Sequence, residues 1–393
     1  MKISELHIHH FRNLHTLHLA PSRCNVILGQ NGSGKTALLE SIYLLSRGKS
    51  FRHHQPKHYI THGKKSTTIF AKLHANFHTW LSADGTDEQT VAIQKSDDAS
   101  TQLRHNGQSV ISQSPITALL PTLLIEPASL NGLEIGSQPR RELLDWLVFH
   151  VEQSFYPHWL AYQRLLKQRN CLLKQPNAGF YQQQLQAWDW QLSEHAHVIH
   201  QYREQILQAW QPHFDSQIQA FLPMYADKLR LRYSAGFDVN QSFADVLAQR
   251  WQSDKELGYT RLGCHRSDMM VLLDLVHDDG GQSHKQTLPA TDILSRGEKK
   301  LLMMALRLSQ LPLLQDVGKV PLVLLDDIGA ELDERALHTL LMGLKQVNSQ
   351  LFISSLDETI VPILQEIWQK NVKVFHVEQG KIIVDNVDKL ARS

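Results

Sequence analysis

Apolar and polar residues alternate at the start of the chain: Ile3, Leu6 and Ile8, then Leu14, Leu17 and Leu19. A two-residue period predicts two half-buried strands within Lys2–Leu19, with a turn near Arg12-Asn13. Asn25-Val26-Ile27-Leu28 reads as a short buried strand, and a helix follows with Leu38, Leu39, Ile42 and Leu45 on one face. From about Thr67 to Ile111 the pattern predicts a β meander. Its strands include Thr67–Ala71, Thr79-Trp80-Leu81 and Thr90–Ile93, and Asp84-Gly85 and Asn106-Gly107 are turn signals. From Arg140 the period becomes helical, with Leu143, Leu144, Leu147, Val148, Val151 and Phe155 on one face, and it continues to about Lys174. Pro176-Asn177-Ala178-Gly179 breaks it. A second long helix carries Leu185, Leu192, Ile199 and Ile206 every seven residues, with Trp188 and Tyr202 near the other seam. The two helices suit an antiparallel hairpin or an ordinary core pair. Strands return near Leu229, and the chain ends in alternating helix and strand.

Chemistry concentrates at three places. Gly29-Gln30-Asn31-Gly32-Ser33-Gly34-Lys35-Thr36 matches G-x-x-x-x-G-K-[ST] between a strand and a helix, the context a P-loop requires. Its backbone N–H groups and the helix N-terminus suit phosphate, Lys35 the β- and γ-phosphates of ATP, and the Thr36 hydroxyl Mg²⁺. Pro321-Leu322-Val323-Leu324-Leu325 runs into Asp326-Asp327, a Walker B arrangement. Asp326 would hold Mg²⁺ and Asp327 would polarise the attacking water; a solvated turn is the bland alternative. Leu294-Ser295-Arg296-Gly297-Glu298 opens an amphipathic helix, and Ser295 with Glu298 makes a capping box whatever else it does.

Composition changes this picture little. The 393 residues are 42% hydrophobic and 20% charged, with a formal net charge of +1. No apolar run is long enough to span a bilayer, no signal peptide is evident, and Cys24, Cys171 and Cys264 are too scattered for a disulfide framework, so a cytoplasmic, non-membrane protein is expected. Charge is uneven: Met1–Lys72 holds eleven Lys and Arg against two acids, Glu5 and Glu40. Such a field suits a polyanion or the acidic remainder of the same chain. Arg12, Lys49, Arg52, Lys57, Lys64 and Lys65 are the DNA-contact candidates, and Arg12 could instead contact the nucleotide. His7, His9 and His10 suggest no metal, since only His7 and His9 share a strand face and no acid or Cys is expected at ligand spacing.

The order P-loop, Ser295-x-Gly297-Glu298, Asp326-Asp327, then Gly329-Ala330-Glu331-Leu332-Asp333 as a D-loop, resembles the ABC-type ATPases. Roughly 260 residues separate Thr36 from Ser295, an interval that points to the SMC-like branch. Phe11-Arg12-Asn13-Leu14, Lys49-Ser50-Phe51-Arg52, Gly263-Cys264-His265-Arg266-Ser267-Asp268 and Ser295-Arg296-Gly297-Glu298 resemble the RecF family of bacterial recombination mediators, over essentially the whole chain. Cys264 and Ser267 depart from the usual Pro and Asp, Glu298 from the commoner Gln, and Ile125–Ser129 from an F-x-P-E-D-like segment, so Ser129 and Ser267 receive no metal or DNA role.

The resemblance implies an α/β fold: an SMC-like P-loop ATPase head with an antiparallel β-rich subdomain and an inserted short helical-hairpin arm. The expected division is 1–125 and 229–393 for the head and 126–228 for the arm. It implies a homodimer that forms on ATP, with Lys35, Thr36 and Asp326 of one copy facing Ser295 and the Gly297 backbone of the other, and Asp333 nearby. It further implies binding to single- and double-stranded DNA at gaps or junctions, and work with RecR and RecO to load RecA. Lys35, Asp327 and Ser295 are the expected catalytic set; Asp327 is one methylene shorter than the Glu of many relatives, which suits slow turnover. A transporter-type ABC ATPase and a non-hydrolysing ATP-dependent DNA scaffold are the competing readings.

Overall fold

The computed structural model of the chain describes residues 1–74, 88–127, 132–175, 182–279 and 282–384. Thr79-Trp80-Leu81, Asp84-Gly85, Ser129 and Pro176-Asn177-Ala178-Gly179 lie outside them. The chain divides into two compact units: Met1–Leu130 with Leu314–Ser393, and Asn131–Leu313. No helix among the described residues is long and apolar enough to cross a membrane.

The first unit holds two six-stranded sheets. One is antiparallel, in the order Leu14–Leu19, Lys2–Phe11, Ser66–His74, Glu88–Ser96, Thr101–His105, Gln108–Val110. Its strands alternate buried and half-open positions: Ile3, Leu6, Ile8, Ile69, Ala71, Val91 and Ile93 face the core. Asn106 and Gly107 both have positive φ, 50° and 77°, so the asparagine-glycine pair makes the tight turn its residues favour. The other sheet runs Lys381–Val384, Val372–Glu378, Cys24–Leu28, Gln350–Ser355, Leu322–Leu325, Thr122–Ile125. It is parallel except for the hairpin at its first edge. Its strands Cys24–Leu28, Gln350–Ser355 and Leu322–Leu325 are buried at every position, as a sheet covered on both faces requires. The helix Lys35–Arg47 shares one core with both sheets: Leu38, Leu39, Ile42 and Leu45 meet Leu6, Ile93, Leu324 and Phe352. Each such side chain removed from water contributes about 1.5–3 kcal/mol.

The second unit is built on the helix Gln182–Phe221, 40 residues long and therefore about 60 Å from end to end. Leu185, Leu192, Ile199 and Ile206 are all buried, which bears out the seven-residue spacing as a packing seam. The helical pattern from Arg140 to Lys174 is not one helix. It breaks into Ser137–Val151 and Phe155–Leu173, with Glu152 extended between them and its carboxylate accepting from the Ser154 N–H at 2.9 Å. The reason is Pro157: it has no N–H for a continuous helix, but it fits within the first turn of a new one. Phe155–Leu173 runs antiparallel to the long helix, as the pairs His158 with His195 and Arg169 with Asp189 show. A three-stranded sheet (Leu229–Ser234, Asp268–Asp279, Gln282–Pro289) and the helix Arg296–Ser309 complete this unit.

Two buried arginines organise it. Arg169 donates to Asp189 at 2.7 Å and to Asp254 and Thr260 at 2.8 Å. Arg203 makes a bidentate pair with Asp145 and donates to the Cys264 carbonyl and the Ser267 hydroxyl. Ser267, where the resembled family has Asp, thus binds a buried arginine within its own unit. His265 lies between the Thr260 carbonyl and the Tyr162 hydroxyl. The carbonyl can only accept, so Nε2 carries the proton and Nδ1 accepts from tyrosine.

Arg169→Ala leaves two buried carboxylates without their cation and is expected to cost about 3–5 kcal/mol. Urea unfolding of the full chain followed by tryptophan fluorescence checks this; a loss under about 1 kcal/mol, the range of an exposed pair, contradicts it. Burial pushes His265 from the ordinary 6.5 down to about 4. Between those values the unfolded chain takes up a proton that the native chain refuses, so stability declines as pH falls through that window. His265→Gln is expected to flatten this part of the stability–pH curve, measured by denaturation at a series of pH values.

Candidate nucleotide-binding site

The loop Gly29–Gly34 leaves the end of the buried strand Cys24–Leu28 and enters the helix Lys35–Arg47. Gly29 has φ 156°, and a Cβ there would stand 2.4 Å from the Val377 carbonyl oxygen and 2.6 Å from Ser33 Oγ, so only glycine keeps the loop closed. Gly34, at φ 121°, is the N-cap, and no side chain caps this helix. Its first-turn N–H groups therefore retain their capacity for an anion. Ser33 Oγ is buried with no hydrogen-bond partner among the described residues. A polar atom orphaned beside an uncapped helix start is what a phosphate cradle provides, and the residues fit that group.

Lys35 folds back over the loop and donates to the Gly29 carbonyl at 2.6 Å and the Gln30 carbonyl at 3.1 Å. Burial lowers its pKa from the ordinary lysine value, and Asp327 and Asp326 partly oppose that. Those two carbonyls are weak company for an ammonium, so a phosphate offers it a better partner. Thr36 Oγ1 donates to Asp326 Oδ1 at 3.0 Å across 290 positions of sequence. Ser354 Oγ donates to the same oxygen at 2.7 Å and accepts from the Asp327 N–H at 2.9 Å. Burial raises the Asp326 pKa, while these hydroxyl bonds lower it. A hydroxyl and a carboxylate side by side are hard oxygen donors, a set that suits Mg²⁺.

Asp327 sits in the left-handed region, φ 49°, and lines the same cleft of about 300 Å³ as Lys35 and Thr36. The strand order explains the meeting. One strand, Gln350–Ser355, lies between the P-loop strand and the Asp326 strand, and Ser354 is on it. A serine inside an apolar strand carries no spacing signal, so sequence reasoning misses Ser354.

Asn13 is missed as a site residue for a different reason, since it appears only as part of a motif. Its Nδ2 donates to the Gly32 and Ser33 carbonyls at 3.1 and 3.0 Å and so fixes the loop from outside. The basic candidates separate. Arg12 is committed to the fully buried Glu40, through Nε and, at 2.8 Å, through Nη2; Glu40 also accepts from the Ser50 hydroxyl. Arg12 and Arg52 both line the cleft. Lys49, Lys57, Lys64 and Lys65 are exposed.

Asp333 is not among the cleft-lining residues; it caps the helix Glu334–Gln346, its Oδ1 accepting from the Ala336 N–H at 2.7 Å. Ser295 and Gly297 belong to the second unit, and both are exposed. There Ser295 Oγ accepts from the Glu298 N–H, and Glu298 accepts in return from the Ser295 N–H at 2.8 Å and from the Tyr225 hydroxyl at 2.9 Å. These bonds, the backbone one foremost, depress the Glu298 pKa. Among the described residues, a Cβ at Gly297 would meet nothing within 4 Å, so their packing does not require glycine there.

A phosphate loop joined to a paired-acid strand, with a capped S-x-G-E helix in the second unit, can be compared with known proteins. Residues 2–383 match the model of the RecF/RecN/SMC N terminal domain. The chain is 36% identical to the DNA replication and repair protein RecF of Acinetobacter baumannii over 97% of this chain and 99% of that one. The corresponding protein of Cellvibrio japonicus is likewise 36% identical, with the same coverage. A solved structure of the recombination mediator protein RecF with ATP, in the RecFOR pathway, has the same fold, with a TM-score of 0.77, 23% identity and coverage of 98% of this chain and 97% of that one. The α/β, SMC-like ATPase-head fold expected from the motifs is thereby shown, and the chain belongs to the RecF family of DNA replication and repair proteins.

Proposed function

We propose that this chain binds ATP with Mg²⁺ in the Gly29–Thr36 loop, dimerises on it, and uses slow hydrolysis to end its hold on DNA. The observation that carries the reading is the Thr36–Asp326 contact at 3.0 Å beside an uncapped helix start. Lys35 would leave the Gly29 and Gln30 carbonyls for the phosphates, and the loop N–H groups would orient them. Thr36 and Asp326 would hold Mg²⁺, which supplies charge neutralisation on the phosphate oxygens when bound. Asp327, which lines the cleft, would orient water as general base. Its short side chain supports a switch more than a motor.

The opposite face of the nucleotide would come from a second copy, through Ser295 and the Gly297 backbone, with Asp333 close by. The open space at Gly297 supports that role, because it leaves room for another molecule. ATP would then be shared between two copies, and its cleavage would remove the anion that both hold. Segment 126–228 would serve as the arm on a head formed by 1–125 and 229–393. The RecFOR context of the solved relative supports RecR and RecO as partners; RecA would be the protein loaded, and DNA gaps or junctions the substrate, as the family resemblance implies. Lys49, Lys57, Lys64 and Lys65 would contribute salt-sensitive phosphate contacts; Arg12 and Arg52, which line the cleft, are better placed toward the nucleotide.

Sedimentation with ATP, with ADP and without nucleotide tests the shared site. A dimer is expected with ATP alone, and both Lys35→Met and Ser295→Arg should remain monomeric. Dimerisation without nucleotide, or indifference to Ser295→Arg, refutes the arrangement. Asp327→Asn is expected to lower DNA-stimulated ATP turnover by at least about 10²-fold while leaving the ATP-dependent dimer intact. Unchanged phosphate release by that variant would remove Asp327 from its role, and absence of turnover in the parent would favour a non-hydrolysing scaffold.

A further inference from the structure

Three side chains on the antiparallel sheet of the first unit converge without any part in the phosphate cleft. Glu5 and His7 are two apart on the strand Lys2–Phe11 and so share a face. His7 is paired in register with His18 on the neighbouring strand Leu14–Leu19. His7 Nε2 and His18 Nε2 each lie 2.8 Å from the same oxygen, Glu5 Oε1. Ligand atoms of all three residues fall within 4.8 Å of one another. The expectation that no acid stands at ligand spacing is therefore overturned. Glu5 lies two residues from His7, and the second imidazole arrives across the ladder, where spacing along one strand does not reveal it.

We propose that Glu5, His7 and His18 form a binding site for one divalent transition cation of the zinc class. Two imidazole nitrogens and one carboxylate oxygen are the borderline donor set that zinc prefers, whereas magnesium and calcium take oxygen ligands. Zinc bonds of about 2.0–2.2 Å place neighbouring ligand atoms about 3.3 Å apart. The present 2.8 Å separations need widen by only about half an ångström, within the reach of small side-chain rotations. Each ring would turn its Nε2 lone pair to the ion and carry its proton on Nδ1.

The surroundings are arranged for this. Lys72 Nζ holds the other oxygen of Glu5 at 2.9 Å, an outer partner of the kind that fixes a ligating carboxylate. Phe70 meets the His7 ring edge-on at 5.5 Å and restrains its orientation. The three ligand side chains are 26%, 33% and 57% exposed for Glu5, His7 and His18, so an ion reaches them from solvent. A bound ion would clip together the two strands whose connecting turn holds Arg12 and Asn13.

The test is calorimetric titration of zinc chloride into the full chain, free of any histidine tag and previously stripped of metal. One ion per chain is expected, with micromolar affinity. His18→Ala and Glu5→Gln should each weaken it at least about ten-fold, while His53→Ala, at a separate histidine pair with His58, should not. Zinc should also raise the melting temperature of the parent but not that of His18→Ala. Because His18 is exposed, that variant is expected to fold, which its circular dichroism verifies. The absence of zinc binding in the parent, or parental affinity in either His18→Ala or Glu5→Gln, overturns the proposal.

Discussion

A carboxylate at the end of a fully buried strand is a burden on the fold, and much of the first unit is arranged around it. Asp326 follows Leu322–Leu325, a strand with no exposed position. A charge placed there is tolerable only if it is paired or hydrogen-bonded. Thr36 and Ser354 supply the bonds, and each must come from a particular place: Thr36 from the first turn of the loop helix, Ser354 from the strand between. The strand order is thus inseparable from the chemistry. Were the Gln350–Ser355 strand moved to an edge, Asp326 would lose the Ser354 bond, and the P-loop strand would stand one strand spacing, about 4.8 Å, nearer, a separation that does not suit the present Thr36 bond.

What is legible in the sequence is what local spacing determines. The phosphate loop, the paired acids and the Ser295–Glu298 capping box are each contiguous, and each is recognised from residue types at fixed offsets. The early hairpin, the long amphipathic helix and the Asn106-Gly107 turn are legible for the same reason. Contacts made through space are not. Nothing marks Ser354 as a partner of Asp326, or Glu5 as the meeting point of two histidines on different strands. The interruption at Glu152 lies between these cases. Hydrophobic period alone continues across it, and only attention to the missing N–H of Pro157 indicates a new helix.

Two of the motifs that carry the family resemblance meet at one buried atom group. Arg12 from the first motif and Ser50 from the second both donate to Glu40, on the inner face of the loop helix. The Ser50 hydroxyl in turn accepts from the Arg52 and His53 backbone N–H groups at 3.0 and 2.9 Å, which shapes the segment that brings Arg52 to the cleft. Glu40 is fully buried and depends on these donors, since a carboxylate left there without its cation is strongly destabilising. Residues that read as a basic, polyanion-facing set are therefore partly internal scaffolding.

The hairpin between Val372–Glu378 and Lys381–Val384 turns at Gly380, where a Cβ would stand 2.0 Å from the Asn13 carbonyl oxygen. The Gly380 N–H also donates to the Ser33 carbonyl at 2.9 Å. The phosphate loop, formed by residues near position 30, is thus braced by residues near position 380. On a ribosome the loop emerges about 350 residues before its brace. Until that hairpin docks, the loop lacks the contacts that hold it here, and closing so long a loop of chain is entropically costly. The shape of the phosphate loop is thus a long-range property of the fold, although its motif is a local one.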